Sequence, residues 1–334
     1  MGDSHDAAPA ISILVSTKDR RAELDRALAS LRQLDYPRQK LEIVVVEETD
    51  DPRPPEGVRY VTIPLEHRGY GHTRRVAVSQ ARHDLLLFTD DDCVVEPTWA
   101  AELVRAFEPD VAGVAGAVLV EPTNTLGYCE NILGFPGGGL KYVVRANGRA
   151  HDTRALSTCN CAYRRAALEE AGGFAMDTTY GGEDQLLASR VAARHRCRYT
   201  PAAVVYHKPR GSWRGLARWF IRRGNSQAEL AKYTDAPPRH FAGMAASSMT
   251  LRLALLLLLL LVTGVTSLPV LALLAAIYYA AMLSRYFYGY RYYRSLGRAR
   301  SLAVWLTVPL VKLVLDFSLD VGRLQGLAAR RWRR

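Results

Sequence analysis

Three consecutive carboxylates, Asp90-Asp91-Asp92, close the apolar run 84–89. A short apolar run of this kind is typical of a strand that is buried on both faces. Carboxylates crowded at a strand end repel one another, so a fold tolerates them where water, a cation or an arginine neutralises the charge. The triplet alone leaves two interpretations open: a solvated turn, or a site where a hard divalent cation bridges carboxylate oxygens to substrate phosphates.

A second acidic pair, Glu183-Asp184, follows Tyr180-Gly181-Gly182 and opens a helical pattern that runs to His195. Acidic residues in the first turn of a helix also suit the helix dipole, so helix capping is a serious alternative to a chemical role for this pair.

Strands and helices alternate in the first 90 residues. Asp19 is placed to cap the first helix, which we expect to continue to about residue 34. The predicted strands are 11–17, 41–46, 59–65 and 84–90, and the predicted helices follow residues 19 and 70. This rhythm predicts an α/β fold with a mostly parallel sheet and helices on both faces.

Ligands of such sheets bind beyond the carboxyl ends of the strands. Thr17-Lys18-Asp19, Glu47-Glu48 and the acidic triplet all lie at predicted strand ends. We therefore expect these three groups to share one site.

Glycine-rich phosphate-binding motifs are missing from the sequence. No Gly-x-Gly-x-x-Gly follows the first strand and no Gly-x-x-x-x-Gly-Lys-Ser/Thr occurs, so neither a dinucleotide oxidoreductase nor a P-loop NTPase is supported. A bound nucleotide would need its phosphates neutralised by a metal and by side chains such as Arg74 and Arg75, for which a solvated helix face is the alternative.

The second half of the predicted domain has weaker periodicity. Residues 111–120 and 157–164 read as strands, and 165–171 as a helix. The stretch 122–155 reads as long loops with a possible short helix.

The net charge of +11 is unevenly distributed. Residues 1–195 carry −7, residues 196–252 and 285–334 carry +9 each, and residues 253–284 carry no charge. An apolar stretch between two arginine-rich flanks is typical of a membrane anchor. A nucleic-acid binder is not favoured, because no motif for DNA or RNA accompanies the charge.

The C-terminal third therefore predicts membrane association. Residues 213–233 form a basic, aromatic, amphipathic run suited to a membrane surface. We expect 253–283 to form a two-span hairpin that starts near Ala245 and turns at 263–269. We expect 302–319, which contains Lys312 and Asp316, to lie in the interface, and the alternative is a third crossing that leaves Arg330 to Arg334 on the far side. No secretory signal opens the chain, and the arginines beyond the hairpin favour a cell-membrane, multi-pass protein whose catalytic domain is cytoplasmic. The five cysteines are expected to be reduced and structural.

The ordered motifs of residues 10–225 resemble the family 2 glycosyltransferases, which share the GT-A fold. The resembling pieces are Ile13 to Arg20, Ile43 to Glu48, Thr73-Arg74-Arg75, Thr89 to Asp92 with Pro97 and Trp99, Asn160 to Arg165, Gly172-Gly173-Phe174, Gly182-Glu183-Asp184, and Val204 to His207.

Four positions depart from the family pattern. Asp19 and Arg75 stand where the family usually has Asn, and Glu47 stands where an Asp commonly holds the nucleobase. Gly215 replaces the Gln of the Gln-x-x-Arg-Trp motif of processive synthases, which counts against a polymerising enzyme.

The resemblance implies a role for each matched position. Asp90 and Asp92 would be the outer carboxylates of the DxD motif that holds Mg²⁺ or Mn²⁺, with His207 as a further candidate for metal or diphosphate. Asp184 would be the catalytic base and Glu183 would orient the acceptor or the base. Lys208, Arg210 and Arg214 could meet the donor diphosphate or lipid phosphates. The expected donor-binding residues are Thr17, Asp19, Glu47, Arg74, Asp90, Asp91 and Arg210.

These implications predict a membrane-associated, metal-dependent, inverting glycosyltransferase that uses a nucleoside diphosphate sugar and a lipid-linked or membrane-proximal acceptor. The alternatives are a metal-dependent nucleotidyltransferase and a membrane scaffold with a degenerate transferase domain. The expected organisation is a flexible tail at 1–10, a catalytic domain at 11–210 divided near residue 110 into nucleotide-binding and acceptor halves, interfacial helices at 211–243 and a membrane anchor at 244–334.

Overall fold

The computed structural model describes residues 8–66, 69–175 and 178–331. Residues 1–7 of the expected flexible tail lie outside this range. The chain forms two compact units. The first extends to Glu121 and resumes over Gly134–Lys208, and the second comprises Pro122–Leu133 and Pro209–Arg334.

One mixed sheet runs through the first unit. Its spatial order is β3-β2-β1-β4-β8-β6-β9-β5, and β7 pairs with β9. The strands found in the described residues are β1 (Ile11–Thr17), β2 (Leu41–Glu48), β3 (Arg59–Ile63), β4 (Leu85–Asp90), β5 (Cys93–Val95), β6 (Val111–Val120), β7 (His151–Asp152), β8 (Asn160–Arg164) and β9 (Arg196–His207).

The first four strands are parallel, as the sequence predicts, but the second half is mixed. β8 lies antiparallel between β4 and β6, and β6 pairs in parallel with β9. The buried Asn160 amide donates to the carbonyls of Ala117 and Ala203, where the β6–β9 register shifts, and accepts from Trp99 Nε1. Apolar patterning marks β8 as a buried strand but carries no information on its direction.

Helices cover both faces of the sheet. The helices are α1 (Arg21–Leu31), α2 (Tyr70–Gln80), α3 (Trp99–Arg105), α4 (Thr125–Ile132, in the second unit), α5 (Gly139–Ala146), α6 (Arg165–Glu170) and α7 (Glu183–Arg194). Along β1 the side chains alternate, so that Ile13 and Val15 join the core under α1 and α3 while Leu14 joins the core under α2, α6 and α7. The expectation of helices on both faces is confirmed.

Two local predictions are wrong. Asp19 does not cap α1: its φ of 47° places it in a left-handed turn, and the residue before the helix is Arg20. The stretch 122–155 contains two helices, α4 and α5, where loops with one possible short helix were expected. Glycines hide α5 in the sequence, because Gly138 supplies the positive φ at its N-cap.

The second unit is helical. Beyond α4 it contains α8 (Trp213–Leu230), α9 (Pro237–Ser247), α10 (Met249–Val262), α11 (Leu268–Arg285), α12 (Phe287–Tyr292) and α13 (Arg298–Arg331). The basic run expected at 213–233 is therefore a helix, and the expected turn forms between Val262 and Leu268. The first leg of the hairpin begins at Met249, four residues later than expected.

Glycines let α8 and α13 approach closely. A Cβ at Gly322 would lie 1.9 Å from the carbonyl oxygen of Ile221, and one at Gly224 would lie 2.1 Å from that of Leu319. No side chain fits at either position, so the two backbones are in direct contact at this crossing.

By length and apolar composition, Leu268–Arg285 and Arg298–Ala329 could each cross a membrane. α9 and α10 are long and apolar enough to cross a membrane only when they are taken together as one segment. The chain bends by 61° between them, at Ser248. Lys312 and Asp316, which favoured an interfacial position for the last segment, form an ion pair one turn apart on α13.

Candidate active site

The polar strand ends meet at one edge of the sheet. β1 lies between β2 and β4, with Ser16 beside Asp90 and Thr17 beside Glu47 in the register. Since all three strands are parallel, their carboxyl ends share this edge. The expected convergence of these groups is confirmed.

Arg20 neutralises two members of the acidic triplet. Its Nη1 donates to Asp91 Oδ1 at 2.8 Å and its Nη2 donates to Asp92 Oδ2 at 3.0 Å. Asp91 also accepts from Thr17 Oγ1 at 2.7 Å and is only 4% exposed. Burial raises the pKa of Asp91 to about 7, against the opposing effects of the Thr17 hydrogen bond and the Arg20 charge. Asp91 and Thr17, both expected to bind the donor, thus bind each other, and Arg20 orders the turn.

Asp92, Cys93 and His207 form a candidate metal cluster, with potential ligand atoms all within 4.8 Å of one another. His207 Nδ1 lies 2.7 Å from the carbonyl oxygen of Lys208, which can only accept, so this nitrogen carries the proton. In the neutral ring, Nε2 then presents a lone pair to Asp92 Oδ1 at 3.2 Å. Two acceptors so close need a cation or a proton between them, and a backbone carbonyl on the far nitrogen is the usual partner of a metal-binding histidine.

The donor set of this cluster suits a divalent cation through Asp92 and His207. Cys93 is a poor third ligand for a hard ion, because burial raises the pKa of its thiol well above the usual range. Asp90 lies outside the cluster and is bound to Arg74 instead.

Arg74 links the triplet to the second acidic pair. Its Nη2 donates to Asp90 Oδ1 at 3.1 Å and its Nη1 donates to Glu183 Oε1. Glu183 is 2% exposed and also accepts from Thr178 Oγ1 at 3.2 Å. Burial would lower the pKa of Arg74, but Glu183 and Asp90 outweigh it and raise that pKa. Burial raises the pKa of Asp90 and of Glu183, and Arg74 opposes the rise in both.

Asp184 lies next to this network without an arginine of its own. Its Oδ2 accepts from Ser157 Oγ at 3.2 Å and its Oδ1 from the backbone N–H of Gln185 at 2.7 Å. In the described part of the chain, no lysine or arginine forms an ion pair with its half-buried carboxylate.

Comparisons with known proteins identify relatives of this part of the chain. Residues 12–172 match the model of the family described as "Glycosyl transferase family 2". They form a family 2 glycosyltransferase domain.

Curated relatives resemble the glycosyltransferase domain at low identity. The O-antigen biosynthesis protein RfbC of Myxococcus xanthus is 28% identical over 56% of this chain, and the pre-mycofactocin glycosyltransferase of Mycobacterium tuberculosis is 27% identical over 66%. The chain spans 16% and 47% of their respective lengths.

A mannosyltransferase from Pyrobaculum calidifontis, solved with GDP-Man and Mn²⁺, shares the fold. It matches 90% of this chain and 87% of its own, with a TM-score of 0.58 and 21% identity. The mixed sheet with helices on both faces is the GT-A fold that the resemblance implied.

The remaining expected site residues have other surroundings. Glu47, 4% exposed, accepts a hydrogen bond from Tyr60 Oη at 2.6 Å. Asp19 lies in the exposed turn after β1. Arg210 belongs to the second unit, where its Nη1 donates to Glu130 Oε1 at 2.6 Å.

Sequence reasoning missed three contributors to the glycosyltransferase domain. Arg20 donates to both Asp91 and Asp92. Ser157 donates to Asp184, and Thr178 donates to Glu183. Arg20 had a sequence signal, a basic residue just after the first strand end. The hydroxyl residues had none, since serine and threonine are common in loops.

Proposed function

We propose that this chain is a membrane-associated, divalent-metal-dependent, inverting glycosyltransferase. It moves a sugar from a nucleoside diphosphate sugar to a lipid-linked or membrane-proximal acceptor. The observation that carries the proposal is the Arg74 guanidinium, which joins Asp90 of the triplet to Glu183 of the second acidic pair. One side chain thereby fixes the spacing between leaving-group carboxylates and acceptor-side carboxylates.

On the donor side, Asp92 and His207 are the residues that would hold Mg²⁺ or Mn²⁺, and Asp90 would join them only by giving up its bond to Arg74. A bound divalent cation offsets the negative charge that grows on the departing diphosphate. Arg20 keeps Asp91 and Asp92 in place through two hydrogen bonds, which leaves Asp92 Oδ1 directed at His207. Thr17, Asp19 and Glu47 line the strand ends where the nucleoside would lie.

On the acceptor side, Asp184 takes the proton of the acceptor hydroxyl as that oxygen attacks the anomeric carbon. Glu183 is excluded from this role because it is buried and bound to Arg74. Glu183 instead orients α7 so that Asp184, its neighbour, faces Ser157. A single displacement inverts the anomeric centre.

The second unit supports a location at the membrane. None of the described residues of α10 and α11 is buried, and Leu261 and Leu268 are 65% and 80% exposed. Exposed apolar surface on this scale needs a lipid or protein cover. We place α10 and α11 in the bilayer of the cell membrane and the glycosyltransferase domain in the cytoplasm, where nucleotide sugars occur.

α13 is long enough to cross, yet we propose that it lies in the interface. Six of its buried residues form one stripe along the helix: Ser301, Val304, Val308, Val311, Leu315 and Ser318. The helix contacts α4 near its start, at Val304, and the arginine-rich α8 near its end, at Gly322. A helix accompanied by α8 cannot enter the bilayer without taking those arginines with it.

Donor hydrolysis by the purified protein tests the proposal. GDP-mannose with Mn²⁺ is the first pair to try, because the Pyrobaculum enzyme was solved with both. Release of a nucleoside diphosphate from GDP-mannose or another nucleotide sugar supports the transferase. Release of pyrophosphate from a nucleoside triphosphate supplied with a sugar phosphate, and of no nucleoside diphosphate from nucleotide sugars, would instead indicate a nucleotidyltransferase. Release of neither product would indicate a scaffold.

A further inference from the structure

Glu130 on α4 is a buried acid that no proposed step uses. It is 0% exposed, and both of its oxygens face one residue: Oε1 lies 2.6 Å from Arg210 Nη1, and Oε2 lies 3.1 Å from the backbone nitrogen of Arg210. A buried carboxylate is costly unless it is paired. Within the part of the chain that the structure describes, Arg210 is therefore the residue that satisfies Glu130, through two separate donors.

The guanidinium of Arg210 is held by Glu130 and by Trp219, and part of it is exposed to solvent. Its guanidinium carbon lies 3.9 Å from the centre of the Trp219 ring on α8, so the ring covers one face. Within the described ranges, Glu130 is the one group that accepts a hydrogen bond from this guanidinium, which has five N–H donors and is 22% exposed. The remaining donors form a preset fork of the kind that binds phosphate oxygens.

α4 holds the segment around Arg210 at a second point. Asn124 Nδ2 donates to the carbonyl oxygen of Gly211 at 2.6 Å. This segment begins three residues after His207, the end of β9. The same helix thus fixes both the side chain of Arg210 and the backbone that follows it.

We propose that Glu130 is a positioning residue that presets Arg210, together with Trp219, to bind phosphate oxygens of the nucleoside diphosphate. This inference rests on the proposed function. The acid removes the rotational freedom of the arginine before the ligand arrives, which lowers the entropy cost of binding. A lipid phosphate has the same chemistry and is the other possible source.

A double-mutant cycle on the full-length protein in detergent tests the coupling. GDP and UDP, each with Mn²⁺, are titrated against the wild type, Glu130→Gln, Arg210→Met and the double variant. We expect Glu130→Gln to weaken nucleotide binding about tenfold in the wild-type background and to have no further effect beside Arg210→Met. Glu229→Gln, which alters another buried carboxylate of the second unit, is the matched control and should bind as the wild type does.

Thermal melts accompany every variant, because Arg210→Met leaves the buried Glu130 carboxylate without its cationic partner. Should that variant not fold, Trp219→Leu provides an independent test, since it frees the guanidinium face but keeps the ion pair and should also weaken binding. Vesicles of phosphatidylcholine with and without phosphatidic acid form the second arm. Loss of vesicle binding with unchanged nucleotide binding would overturn the assignment to the donor.

If Glu130→Gln reduces nucleotide affinity equally in the wild-type and the Arg210→Met backgrounds, Glu130 has a purely structural role and the inference is overturned. Failure of the proposed function has a different signature. In that case no nucleotide sugar releases a nucleoside diphosphate, while the coupling between Glu130 and Arg210 persists in the binding cycle.

Discussion

Arg74 donates a hydrogen bond to the buried carboxylate of Glu183, which lies 109 residues further along the chain. The contact divides the Glu183-Asp184 pair into two different acids. Glu183 is bound to a guanidinium, whereas the donors to Asp184 among the described residues are a serine hydroxyl and a backbone N–H. Adjacent acids that are equivalent in the sequence therefore have separate roles in the fold.

Replacing Asp184 by Asn should abolish transfer and leave nucleotide binding intact. The amide cannot accept the proton of the acceptor hydroxyl, and loss of a general base costs about 10²–10⁴ in rate. Turnover and nucleotide titration on the same preparation measure both effects. A variant that transfers at the wild-type rate would rule out Asp184 as the base.

Glu183→Gln is expected to act on stability. It leaves Arg74 with Asp90 as its remaining carboxylate partner, and breaking a buried ion pair costs about 3 kcal/mol of unfolding free energy. Chemical denaturation measures the loss. An unchanged midpoint would show that the Arg74–Glu183 contact contributes little to folding.

Asp92→Asn and His207→Ala should each raise the Mn²⁺ concentration that the enzyme requires, whereas Cys93→Ala should leave it unchanged. The first two remove an oxygen and a nitrogen ligand, whereas burial keeps the Cys93 thiol protonated. The measurement is the Mn²⁺ concentration that gives half-maximal activity after treatment with EDTA. We expect it to rise at least about tenfold for each ligand variant, as one coordination bond is lost. A similar rise in Cys93→Ala would place sulfur in the coordination sphere.

Gly322→Ala should destabilise the second unit. The new Cβ would lie 1.9 Å from the Ile221 carbonyl oxygen, so α8 and α13 must separate. Overpacking of this kind costs about 2 kcal/mol. Gly243→Ala is the matched control, because it lies in α9 with no atom within 4 Å of the added Cβ and should gain up to about 1 kcal/mol from helix propensity. Thermal melts in detergent compare the two, and equal melting temperatures would refute the close crossing.

Cysteine labelling in intact cells tests the topology. We expect Thr266→Cys, in the turn between α10 and α11, to react with an impermeant reagent, and Ser295→Cys and Ala329→Cys to be shielded. Ser295 replaces the neighbouring Gly297 as a probe site because Gly297 has a φ of +96°, which a cysteine would strain. All five native cysteines are buried, so background labelling should be low. Labelling at Ala329 but not at Ser295 would show that α13 crosses the bilayer.

The strand ends and most element boundaries of the first 90 residues could be predicted, because buried parallel strands leave continuous apolar runs that polar residues interrupt. β6 agrees with its predicted bounds of 111–120. The stretch 122–155 could not be predicted in the same way. Glycines usually mark loops, but Gly138 in this stretch is the N-cap of α5. The two helices of the stretch also belong to different units.

The sequence by itself determined the α/β fold, the edge of the sheet where carboxylates converge and the apolar C-terminal segments that are long enough to cross a membrane, since each follows from local periodicity and composition. Only the tertiary structure decided which carboxylate has which partner. Arg20, Arg74 and His207 reach their acids from 71, 16 and 115 residues away in sequence. Partner choice depends on distances of about 3 Å between side chains on separate elements, and residue types and spacing carry no record of those distances.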